Sequence, residues 1–244
     1  MAKDISSAIK ECEQELAKRV DGKYFILENF FKDRKMKEYE ERAKRVRAGF
    51  EAGRGNSASA ARAMKELSAF EADFVKWYEA DEDLDDAQMF STVVSFIREA
   101  KEKLKVYGAA MDALGAGGKE ACMAKLAAAF GRLKQAAQKA DALAHKTEVE
   151  MLTDATSTIM RYIDVEHEMR LAEMMAPSGT AGGAAERAVA RMGGRHGDYM
   201  SIRSNAYHLK NPALQKAAAE LLDASYEYEG ALCAAYLFSE QGSG

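Results

Sequence analysis

Proline is almost missing from this 244-residue chain; Pro177 and Pro212 are its two. Long proline-free stretches rich in Ala, Glu, Lys, Leu, Arg and Met suit long helices, because these side chains lose little freedom there. There is no run of 18 apolar residues, so no stretch reads as a membrane span. The opening Met1-Ala2-Lys3-Asp4 has no apolar region of the signal-peptide kind. Basic charge is not in surplus either: the net charge is −4, which gives no field to gather nucleic acid. Cysteine is scarce and odd in number, at Cys12, Cys122 and Cys233, with no Cys-x-x-Cys pair. This argues against a disulfide framework or a zinc site and for three small buried hydrophobes. A phosphate-binding glycine loop, a nucleophile elbow and a His-Glu-x-x-His pair are all lacking. A di-iron bundle needs two Glu-x-x-His pairs plus two further carboxylates, and only Asp164-x-x-His167 comes near one. The chain is therefore expected to be no enzyme and to hold no cofactor or metal.

What is present is helical pattern. The chain is 48% hydrophobic and 30% charged, enough for a sizeable core. Three turn signals divide it: Gly53-Arg54-Gly55-Asn56-Ser57, Gly115-Ala116-Gly117-Gly118 and the stretch from Pro177 to Gly183. Between them lie four arms, about 4–52, 57–113, 119–175 and 184–240. Each would be about 75–85 Å long at 1.5 Å per residue. Each carries an apolar stripe in steps of three and four, such as Ile5, Ile9, Cys12, Leu16 and Val20. Matched arms joined by short turns predict an all-α, elongated up-down-up-down four-helix bundle.

Two arms also break at their middles. One break is the acidic run Asp81-Glu82-Asp83-Leu84-Asp85-Asp86, and the other is Asn211-Pro212. These breaks predict a single domain over 1–244 made of two stacked bundle modules, with two long and four shorter helices. The distal module would take about 30–82 plus 147–209. The proximal one would take about 4–29, 87–146 and 213–240.

The segment Glu28-Asn29-Phe30-Phe31-Lys32-Asp33 followed by Tyr39, and the helix Leu67 to Tyr78 with Phe70, Phe74 and Trp77, carry a resemblance. With the two-long, four-short plan, they resemble the helical bimodular sensor domains of bacterial methyl-accepting chemotaxis proteins and sensor histidine kinases. The resemblance implies a periplasmic ligand-binding domain anchored in the membrane at both ends. It implies a small-molecule ligand or a periplasmic binding protein as partner, a homodimer, and signalling by helix displacement.

Polar residues that interrupt apolar stripes are the candidate ligand contacts. Along Ile159, Ile163, His167, Arg170 and Met174, the steps of three and four put His167 and Arg170 on an apolar line. The series Val189, Met192, His196, Tyr199 and Arg203 does the same. Reflection through the turns brings the two histidines about one helical turn apart, with Tyr39 at a similar level. Arg170 either pairs with Glu166 or Glu173 on its own helix, or awaits an organic anion that its planar fork can grip. Two other readings stay open: a cytoplasmic helical scaffold that binds proteins, which free cysteines suit, and a metal-binding helical-bundle enzyme.

Overall fold

The computed structural model describes residues 5–80, 87–147, 149–175, 183–192 and 196–241. Within them the chain forms α1 (Ile5–Asp33), α2 (Lys37–Ala52), α3 (Ser57–Ala80), α4 (Ala87–Leu114) and α5 (Lys119–Ala144). It continues with α6 (Glu150–Met175), α7 (Ala184–Ala190), α8 (His196–His208) and α9 (Pro212–Gln241).

The first four helices run back and forth. Antiparallel pairing of α1 and α2 places Arg47 Nε 2.5 Å from Asp21 Oδ1, and Arg54 Nε 3.0 Å from Glu13 Oε1. Across α2 and α3, Arg42 meets Asp73 at 2.7 Å. Helix α4 returns beside both α3 and α1, where Lys101 pairs with Glu71 and Tyr107 donates to Glu13 at 2.9 Å. Helix α5 then crosses to the other side of α9, held by Arg132–Glu227 at 2.8 Å and Lys139–Glu220 at 2.5 Å. Helix α6 folds back on α5, with Thr156 donating to Asp141 at 2.8 Å and Lys134 meeting Asp164 at 2.7 Å.

Helix α9 is the axis of this arrangement, packed by α1, α4, α5, α6, α7 and α8. Its sequence explains why. Leu221, Leu222, Tyr226, Leu232, Tyr236 and Leu237 face all directions and are all buried, and a helix that is apolar all round belongs inside. Gly230 permits a close approach to α4. A Cβ there would lie 2.5 Å from the Val106 carbonyl oxygen and 2.6 Å from Ala109 Cβ, so α4 and α9 touch almost backbone to backbone.

The elongated up-down-up-down four-helix bundle of two stacked modules does not form. Among the described residues there are nine helices about one shared core. Two of the expected long arms reverse at their middles. Arm one ends α1 in a Schellman turn, with Met36 N bonding Phe31 O at 2.9 Å and Lys35 N bonding Lys32 O at 3.0 Å. Lys35 takes the left-handed φ of 59° there, and α2 starts back along α1. Arm three turns at His145-Lys146-Thr147, where the Thr147 hydroxyl donates to Ala144 O at 2.6 Å. The Asn211-Pro212 break is a reversal too. Lys210 is left-handed (φ 52°), Asn211 Oδ1 accepts from Leu214 N at 3.2 Å, and Pro212 opens α9. The physical reason is the breadth of the apolar faces: α9 needs neighbours on every side, which straight four-helix arms cannot supply. The acidic run 81–86 and the stretch 176–182 lie outside the described residues.

Candidate interaction surface

Helix α6 has two working faces. Its inner face carries the polar residues singled out from sequence. The His167 ring stacks on Phe130 of α5, with centroids 3.8 Å apart and planes 9° apart. Its Nδ1 shares a hydrogen bond of 3.0 Å with the Tyr228 hydroxyl of α9. Burial holds the imidazole below its usual pKa, against the pull of Glu168 and Asp164. One turn on, Arg170 lies 3.4 Å from Glu173 and 3.9 Å from Glu166. The Tyr236 hydroxyl donates to Glu173 at 2.6 Å, and burial first, with that hydrogen bond, pushes its pKa up to about 12. Arg170 thus spends its charge on carboxylates of its own helix. The seam is a set of satisfied polar bonds that fastens α6 to α5 and α9.

The other expected contacts scatter. Tyr199 is buried on α8. Arg203 acts on Tyr226, whose hydroxyl is pushed up by burial and by Glu102. His196 opens α8, and its side chain lies outside the described residues. Tyr39 is elsewhere. It stacks on Phe31 at 5.4 Å and on Phe70 at 5.9 Å, in an aromatic cluster with Phe74 and Trp77. Neither α2 nor α3 packs against α6 or α8, so the level inferred by reflection is not kept. Among the described residues no group of three or more His, Cys, Asp or Glu is placed to hold a metal ion. The thiols are inward: Cys12 and Cys233 lie 3.6 Å apart between α1 and α9, and burial pushes Cys122 up to about 11.

The outer face of α6 is different in kind. Met151, Ala155, Thr158, Tyr162, Val165, Met169 and Ala172 follow one another in alternating steps of four and three. None of the seven is buried. Tyr162 is 48% exposed, Val165 54% and Met169 59%. Along one edge of this row stand Asp154, Arg161 and Glu168, all exposed and spaced seven apart with alternating sign. Among the described residues the Arg161 guanidinium bonds only its own helix, at Ser157 O (3.4 Å) and Thr158 Oγ1 (3.2 Å). Reading α6 from sequence by its inner stripe alone misses this row. The available signal was a second apolar spacing on the opposite face.

A concave feature lies on another side of the molecule. A groove of about 460 Å³ runs over α4 and α9 between α3 and α5, floored by Ala60, Gly108, Ala129 and Ala231. Its rim charges neutralise one another: Lys105 with Asp223, Lys125 with Asp112 at 2.6 Å, and Arg132 with Glu227 at 2.8 Å.

Comparison with known protein families, with curated proteins and with solved structures yields no match for this chain. The resemblance to helical bimodular sensor domains is corrected on that ground and on the helix order. Its motif residues are core packing: Phe30 meets Phe96 at 5.8 Å, and Phe31, Phe70 and Phe74 pack together. The reading as a chemoreceptor sensor that binds a small anion between helices falls with it. No helix among the described residues is long and apolar enough to cross a membrane.

Proposed function

We propose that the chain is a helical scaffold, a protein-interaction module rather than an enzyme, and that the outer face of α6 is its docking surface. The observation that carries this reading is the row from Met151 to Ala172, apolar but for Thr158 and exposed at Met151, Tyr162, Val165, Met169 and Ala172. Apolar residues alternating by four and three across three heptads keep one seam toward a partner helix. Contiguous apolar surface left in water marks a site that something else covers. The inner seam of His167, Arg170 and Glu173 supports the reading, because it holds α6 on rigid neighbours and leaves the outer face free to bind.

A photo-reactive amino acid placed at Val165 tests this in cells that make the protein, with exposed Gln14 of α1 as the control position. A discrete covalent adduct formed from position 165 and not from 14 is expected. No adduct from position 165 would overturn the reading.

A further inference from the structure

The seam on α6 is self-complementary, and from this we infer that its occupant is α6 of a second copy, lying antiparallel across a local two-fold axis. The inference rests on the reading of α6 as a docking surface and adds the partner to it. In an antiparallel pair of helices, each residue of one row faces a residue of the other whose number makes up a constant sum. Setting Tyr162 against Val165 of the second copy places Met169 against Thr158 and Ala155 against Ala172. Each of these three layers joins a large residue to a smaller one, or two alanines, so none is overfilled; Met151 would meet position 176, which lies outside the described residues. The row covers 151 to 172, about 33 Å of helix.

The charges supply the second argument. The register that forms these layers also brings Arg161 within two residues, about 3 Å along the axis, of Glu168 on the same edge of the second copy, and by symmetry does so twice. Both side chains are exposed. Glu168 forms no ion pair among the described residues, and Arg161 meets only a backbone carbonyl and a hydroxyl of its own helix. Several nearby exposed charges are matched within the chain, as Lys134 is with Asp164 and Lys139 with Glu220. The other edge of the row is settled internally, since Leu152 and Ile159 are buried and Glu166 and Glu173 turn to Arg170. A parallel pair gains less from charge: it would set Arg161 near Glu166, which already turns to Arg170, and Glu168 against Glu173 of the second copy, like against like. A two-fold contact uses one patch on both copies and closes on itself, so the product is a dimer and not a fibre. One helix pair covers less than a standard interface, so the dimer is concentration-dependent.

Sedimentation equilibrium of the full chain over a wide concentration range tests this at low salt. The expected result is a monomer–dimer equilibrium that Val165→Glu abolishes. Arg161→Glu should weaken it about ten-fold through like-charge contact, and Arg161→Glu combined with Glu168→Arg should restore it. Direction is read separately by mixing two variants, Ala155→Cys and Ala172→Cys. A disulfide-linked dimer should form in the mixture and not from either variant alone. Links within the Ala155→Cys sample would overturn the antiparallel arrangement. A dimer indifferent to Val165→Glu or to the charge swap would overturn the inference, as would a monomer at every concentration. In that last case, a photo-adduct from position 165 with a different protein leaves the docking reading standing. No adduct at all removes both.

Discussion

The imidazole of His167 and the hydroxyl of Tyr228 are bonded at 3.0 Å, with Phe130 stacked beneath the ring at 3.8 Å. Burial lowers the pKa of this histidine, so the folded state prefers it neutral. A base whose folded pKa lies below its unfolded value of about 6.5 contributes stability that is whole above that pH. That contribution is lost as pH falls toward and through the folded value. Wild-type Tm should therefore drop more between about pH 7.5 and pH 5 than the Tm of His167→Gln does. Equal slopes for the two proteins would refute the assignment.

At Gly230 the central helix closely approaches its parallel neighbour, since a Cβ at 230 would sit 2.5 Å from the Val106 oxygen. The intruded atoms are backbone and the Ala109 Cβ, none of which can rotate away. Gly230→Ala must push α9 off α4, at a cost of about 1–3 kcal/mol for overpacking. That should exceed the small gain from replacing a mid-helix glycine, about 1 kcal/mol. A urea titration giving a lower midpoint is expected. An unchanged or higher midpoint would show that the two helices stand further apart.

Much of the secondary structure was legible, and the direction of the chain was not. Steps of three and four marked the four arms as helical, and Asn56 and Asn211 cap α3 and α9 where turn chemistry announces them. The stops at Lys35 and His145 carry no glycine or proline, so nothing local distinguishes them from continuing helix. What selects reversal at Lys35 is long-range: it lets Tyr39 reach Phe31, Phe70 and Phe74. The polar pairings of Arg170 with Glu166 and Glu173 were legible because they are local. The partners of His167, Phe130 and Tyr228, were not, because α5 and α9 come to it through tertiary packing.

Lys35 offers a direct test of that turn. A residue with a side chain pays roughly 1–2 kcal/mol to sit in the left-handed region, where glycine pays nothing. Lys35 does so at φ 59° and is exposed, so it has no packing to lose. Glycine costs more to order from the unfolded chain, which takes back part of the gain. Lys35→Gly should raise stability by about 0.5–1 kcal/mol net, read as a higher denaturant midpoint at the same slope. A fall would mean that α1 runs on through residue 35.

The outer row of α6 should separate stability from association. Val165 and Met169 are more than half in solvent, at 54% and 59%, and face away from α5 and α9. In dilute protein the double substitution Val165→Glu with Met169→Glu removes almost no buried contact. Surface changes of this kind usually stay within about 0.5 kcal/mol each. The new carboxylates lie among Asp164, Glu166 and Glu168, so a small loss from like charge is expected and should fade with added salt. By contrast Ile163→Ala, on the inner face and 5% exposed, should cost about 2–5 kcal/mol. Thermal melts at low protein concentration would show the two faces apart. A large loss from the outer substitutions under those conditions would mean that the row is covered by the chain's own residues, and α6 would then have no free face with which to dock.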